Sequence, residues 1–139
     1  MNFTPTFKGI FVAKTDDSSM FAGMIPEGMQ LVSVLHITLM SSELSKDARK
    51  QVKKNFNPSV LPLFPNVTFG KPYMANNGEK SSIVVDVNEQ NAVRTWCKLA
   101  CVILGLPEDT VKDARVYHVS IANPTGVPFD SVPDPWNHR

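Results

Sequence analysis

Residues 35–39 read LHITL and residues 117–121 read YHVSI. Each stretch sets a histidine, a β-branched residue, a hydroxyl residue and an aliphatic residue in succession, and each reads as a strand. Side chains alternate along a strand, so His36 and Thr38 leave one face while Leu35, Ile37 and Leu39 leave the other. The same parity separates His118 and Ser120 from Tyr117, Val119 and Ile121. Two strands thus each carry an imidazole and a hydroxyl on one side and a row of core-forming side chains on the other.

The first of these strands spans 31–40, LVSVLHITLM, long enough to be central, and the second spans 116–122. Upstream, 7–14 (FKGIFVAK) predicts a strand, and 20–30, with Gly23, Pro26 and Gly28, a short helical turn or a loop. Ser41 or Ser42 is the expected cap of a helix through Asn55, with Leu44, Ala48, Val52 and Phe56 at steps of four. Pro58, Pro62, Pro65 and Pro72 exclude a long helix after it and predict an extended crossing segment around a short strand at 67–69, the one internal boundary. Next comes a hairpin, with strands at 73–75 and 81–87 joined through Asn76-Asn77-Gly78. Asn88 is the expected cap of a helix over 89–104, which Gly105 and Pro107 end. Its apolar residues Ala92, Val93, Trp96, Leu99, Ala100, Val102, Ile103 and Leu104 cover much of its circumference, which predicts a buried core helix. In 124–139, Pro124, Pro128, Pro133 and Pro135 allow neither a helix nor a central strand, and they leave open whether the tail is ordered, free, or ordered only over a bound ligand. Each half of the chain holds an upstream strand (9–13, then 83–87) and a motif strand, which hints at a duplicated architecture.

At 139 residues, 42% apolar, the chain has enough core for one domain without staples, and two cysteines cannot build a disulfide framework. That points to an intracellular, cytoplasmic protein. A formal charge of +1, from 14 basic and 13 acidic side chains, argues against a partner held by bulk electrostatics. The longest apolar runs fall far short of the roughly 20 residues of a membrane span, so no membrane partner is expected. One local exception to the balance is the first helix, whose outer faces carry Lys46, Arg49, Lys50, Lys53 and Lys54. A solvated surface is the ordinary reading of such a face; a positive rim that attracts phosphates is the other.

A lone strand histidine is usually a satisfied core or edge residue, but two copies of one H-x-[TS]-aliphatic pattern call for a common explanation. Cleaving a phosphodiester needs a base for the attacking oxygen and an acid for the departing one, and imidazole serves as either near neutral pH. The hydroxyls of Thr38 and Ser120 can donate hydrogen bonds to the nonbridging phosphate oxygens. No metal is required.

With these paired motifs the chain resembles the 2H phosphoesterase superfamily, named for its H-x-[TS]-x pairs, over nearly its whole length. The resemblance implies an α+β fold of two pseudo-symmetric lobes of mainly antiparallel strands flanked by helices, with a central cleft lined by one motif from each lobe. The lobes would fall at about 1–57 and 58–123, with possible strand exchange, and 124–139 would form the tail. It also implies His36 and His118 as the catalytic pair and Thr38 and Ser120 as phosphate ligands. The short length, the opening FKGIFVAK strand and the Trp-bearing tail look most like the viral anti-CBASS nucleases, phage enzymes that cleave cyclic di- and trinucleotides used as alarm signals in bacterial defence. In that group an aromatic from the first strand and residues of the C-terminal segment help to hold the bases, which makes Phe11 and Trp136 the candidates here. Phe11 stands where a tyrosine is expected, so a hydroxyl is missing from that position. The implied partner is a cyclic di- or trinucleotide. The alternatives are a 2′,3′-cyclic phosphodiesterase acting on short RNA ends and a nucleotide-binding domain without activity.

The other candidates read as structural. His138, beside Arg139, is expected to fray with the terminus. Cys97 and Cys101 share one face of the second helix among apolar neighbours, as buried thiols rather than a metal pair. A zinc site of His36, His118 and a cysteine would draw ligands from opposite faces, so neither a metal nor a cofactor is expected. Trp136 is either a plug against the domain or a platform for a flat ligand; Phe129 and Tyr117 are packing residues. Lys8, Lys14 and Lys71 suit a phosphate, but the sequence does not place them near one.

Overall fold

The two motif stretches are neighbours in the middle of one antiparallel sheet. The computed structural model describes residues 3–7, 11–15, 17–40 and 45–139. In chain order its strands and helices are β1 (Thr4–Phe7), β2 (Phe11–Thr15), β3 (Gln30–Leu31), β4 (Leu35–Met40), α1 (Lys46–Asn55), β5 (Tyr73–Asn76), β6 (Ser81–Asp86), α2 (Gln90–Leu104) and β7 (His118–Asn123). The seven strands form a single sheet of order β1-β2-β4-β7-β6-β5, with β3 also paired to β7, and every pairing is antiparallel. The fold is α+β. Among the described residues no helix is long and apolar enough to cross a membrane.

The core lies on the helix side of the sheet. Leu35, Ile37 and Leu39 of β4 and Val119 and Ile121 of β7 are buried there, against Val93, Trp96, Cys97, Ala100, Cys101 and Leu104 of α2 and Val52 of α1. The Pro-rich crossing segment closes one side: Trp96 donates its indole N–H to the Pro62 carbonyl (2.9 Å), and its ring meets Phe64 edge-on. Gly105 ends α2 in the left-handed region at φ 73°, where its amide reaches back to the helix carbonyls, as the sequence predicts.

Several expectations are corrected. The chain ahead of 7–14 is itself a strand, so a hairpin of β1 and β2 replaces the single strand, with 8–10 outside the described residues. The strand over 31–40 is broken: Leu31 pairs with Ala122 and Ile37 with Val119, so more chain separates the pairs on the 31–37 side than on the other and must loop out. Ser45, whose hydroxyl accepts the Ala48 amide, caps α1; Ser41, Ser42 and Leu44 lie outside the described residues. Asn88 does not cap α2, because its side-chain amide donates to the Thr68 hydroxyl while the Glu89 carboxylate accepts the Thr68 amide and hydroxyl. The segment around 67–69 is extended but makes only the isolated pairing of Phe69 with Val87. α2 is not buried all round: Leu99, Val102 and Ile103 face outward, because the sheet covers one side of it.

The tail is tied down. Asn123, fully buried at the end of β7, accepts the Thr125 and Gly126 amides and donates to the Val127 carbonyl and the Ser131 hydroxyl, which turns the chain back across the sheet. Val132 then packs on Ala75 and Val84 on the face away from the helices, and its amide donates to the Ser82 hydroxyl. Phe129 is not a packing residue; its ring is exposed, with the Lys80 ammonium 4.4 Å from its centroid. Replacing Gly105 with Ala forces φ > 0 on a Cβ that would lie 3.1 Å from the Gln51 amide nitrogen. A loss of about 1–2 kcal/mol is expected, read as a lower urea midpoint with an unchanged slope.

Candidate active site

Ile37 lies directly across from Val119 in the β4–β7 pairing. One residue either way, the antiparallel register sets Thr38 across from His118 and His36 across from Ser120. The histidines are therefore diagonal neighbours on the face away from the helices, with Cβ atoms about 7 Å apart. Each hydroxyl stands beside the other strand's imidazole. Continued to the flanking strands, one row reads Lys14, His36, Ser120, Val84 and the next Val12, Thr38, His118, Asp86. A cation thus neighbours one imidazole, and an anion the other.

Local bonding fixes His118. Its Nδ1 lies 3.0 Å from the Val116 carbonyl oxygen, which can only accept, so Nδ1 carries the hydrogen and Nε2 is the nitrogen left for chemistry. The preceding residue is clamped by Gln90 from the first turn of α2: the Gln90 carbonyl accepts the Tyr117 amide (2.8 Å), and its NH2 donates to the Tyr117 carbonyl (2.7 Å). The Val87 amide donates to the same carbonyl (3.0 Å), so Gln90 and the neighbouring chain together hold the entry to β7 in register.

The tail supplies the rest of the setting. The Trp136 ring sits against the His118 ring, with centroids 5.5 Å apart and planes tilted by 57°, and the Arg115 guanidinium lies 6.0 Å from the indole. Asp86 accepts a hydrogen bond from the Tyr73 hydroxyl (2.8 Å) on one oxygen and pairs through the other with Arg139, whose guanidinium also lies over the Tyr73 ring at 4.2 Å. His138 is not frayed: its carbonyl accepts the Asn76 amide, and its ring faces Asp134.

Burial holds both imidazoles below the usual histidine range. For His36 the nearby Lys14 adds to that effect. For His118 burial dominates; the Val116 carbonyl and Asp86 act the other way, while Arg115 and His36 push it down further. Of these effects on His118 that of His36 is the smallest. Cys97 and Cys101 are buried on the other side of the sheet, and burial pushes the Cys97 thiol up to about 12.

Of the residues singled out by sequence, His36, Thr38, His118 and Ser120 share one face, with Trp136 against His118. Phe11 opens β2 in register with Met40, and no more than its backbone is described. Lys8 is outside the described residues, and Lys71 is exposed. Sequence reading missed Asp86, Tyr73, Arg115, Arg139 and the clamp Gln90, and left Lys14 unplaced. Asp86 shares strand parity with Val84, but only the register of β6 on β7 reveals its partner. Comparison with protein-family models, with curated proteins and with solved structures finds no match for the chain.

Both imidazoles stay neutral in the folded chain near pH 7, whereas in the unfolded chain they protonate at about pH 6.5. As pH falls through that value the unfolded state takes up the extra protons, so stability drops from there down to the lower folded values. The urea midpoint of the wild type is expected to fall between about pH 7 and pH 5, and that of a His36→Gln, His118→Gln double variant to fall less; equal slopes would contradict the neutral burial of the pair.

Proposed function

We propose that the chain is a phosphodiesterase of the 2H type, using His36 and His118 without a metal ion, and that it hydrolyses cyclic di- or trinucleotide messengers. The observation that carries this is the diagonal placement of the two imidazoles on one sheet face, with a hydroxyl beside each. In this reading β1, β2 and β4 belong to one lobe and β5, β6 and β7 to its pseudo-symmetric counterpart, with the substrate phosphate over the β4–β7 seam. The resemblance to phage counter-defence nucleases supplies the messenger as substrate.

The surroundings divide the labour. Lys14 disfavours a proton on His36, which is then the base that takes the proton of a ribose 2′-OH. The Val116 carbonyl and Asp86 favour a proton on His118, which is then the acid. The 2′-oxygen bonds to phosphorus, the bond from phosphorus to the 5′-oxygen breaks, and His118 Nε2 protonates the departing 5′-oxygen. Thr38 and Ser120 donate hydrogen bonds to the nonbridging oxygens. The product end is a 2′,3′-cyclic phosphate, which water opens when the two histidines exchange roles. The Trp136 indole is the surface for a base, since stacking on an aromatic is worth about 1–3 kcal/mol per base.

Incubation in EDTA with cyclic dinucleotides, cyclic trinucleotides and RNA 2′,3′-cyclic ends, followed by chromatography of the products, tests the substrate. Cleavage of the messengers is expected; cleavage of RNA ends alone would move the assignment to RNA processing, and cleavage of none to a binding domain. His36→Ala and His118→Ala should each lower kcat/KM by about 100- to 10,000-fold. Raising pH strips the acid's proton and lowering it protonates the base. With both groups depressed, the bell-shaped kcat/KM profile should peak below about pH 6.5.

A further inference from the structure

The near-neutral charge of the chain conceals a strong local asymmetry. α1 holds five of its 14 basic residues and one of its 13 acidic ones, so this helix carries +4 and the remaining chain, with nine basic and twelve acidic residues, carries −3. Lys46, Arg49, Lys50, Lys53 and Lys54 recur at helical spacing, so all five lie on one face, and all five are exposed. Val52, on the opposite face, is fully buried in the core and fixes which side looks outward. The lysines of this row have no ion pair among the described residues. Ten residues of helix extend about 15 Å, and one strand of a duplex places about four phosphates along that length of axis.

We propose that the outer face of α1 docks the phosphate backbone of double-helical nucleic acid without regard to sequence. The occupant follows from what the face offers. α1 contains no aromatic residue on which unpaired bases could stack, which single-strand binders use alongside their cations. Its one apolar stripe is committed to the core, so it has nothing to insert into a lipid surface. What remains is a row of cations on a helical frame, whose spacing suits a regular polyanion. Because α1 packs on the helix side of the sheet while His36 and His118 face the other way, a docked duplex leaves the candidate active site open. The inference does not depend on the activity proposed for that site.

The test is fluorescence anisotropy with two 20-base-pair DNA duplexes of unrelated sequence, titrated across a range of salt. The wild type is expected to bind both alike, with log K falling against log salt at a slope of about −4, near −0.9 for each phosphate contacted. A Lys46→Gln, Lys50→Gln, Lys53→Gln, Lys54→Gln variant should lose at least tenfold in affinity at low salt and flatten the slope to about −1, while the matching four Lys→Arg changes retain both. The Arg variant guards against loss of fold, as does an unchanged urea midpoint in the Gln variant. His36→Gln and His118→Gln should bind like the wild type. Undiminished binding by the Gln variant would overturn the proposal, as would absence of wild-type binding at low salt, or capture by anionic phosphatidylserine vesicles or single strands that is tighter than capture by the duplex.

Discussion

The pairing of Ile37 with Val119 is the contact on which the rest of the molecule depends. It joins strands from the two halves of the chain, and it sets two registers at once: that of the apolar rows against the helices and that of the imidazoles against each other. Because side-chain parity on a strand has period two, a slip of one residue would turn Leu35, Ile37 and Leu39 toward water and drive His36 and Thr38 into the core. The burial of five aliphatic side chains from β4 and β7 is therefore the force that aligns the polar face, although none of them touches it. The loop-out between β3 and β4 and the shift in register between β6 and β7 lie toward the end of β7 away from His118, while a further shift lies between β2 and β4 at Phe11/Val12.

On the polar face the arrangement is held by hydrogen bonds and ion pairs beside the small apolar cluster of Ala75, Val84 and Val132. Gln90 secures the Tyr117 backbone, the Val116 carbonyl secures the His118 ring, and the Tyr73 hydroxyl and Arg139 occupy the Asp86 carboxylate. Apart from the local Val116 contact, each joins residues distant in the sequence. Asn123 continues the pattern, since a single buried amide binds two backbone amides, a carbonyl and a hydroxyl and so directs the tail over the sheet.

This division explains what the sequence made legible. Parity placed His36, Thr38, His118 and Ser120 on polar faces because one face of each strand is apolar, and the left-handed stop at Gly105 follows from glycine and proline chemistry. The hairpin of β5 and β6 was equally clear from Asn77-Gly78. Adjacency of the two motif strands was not legible, because strand order is decided by the whole sheet. Nor were Asp86 and Lys14, whose significance lies in which residue stands opposite each. Circumferential hydrophobicity misled at α2, where Leu99, Val102 and Ile103 sit on a helix that only one sheet covers. The caps misled at Asn88 because Thr68, twenty positions earlier, competes for the same side chains.

The two thiols have a consequence of their own. Cys97 and Cys101 lie buried on the sheet-facing side of α2, neither forms a disulfide, and burial holds the Cys97 thiol far from its reactive anionic form. A thiol reagent can reach them only when α2 lifts from the sheet. Their alkylation rate is thus an intrinsic clock for the opening of the core, carried by the chain without any added label and readable while the opposite face is occupied.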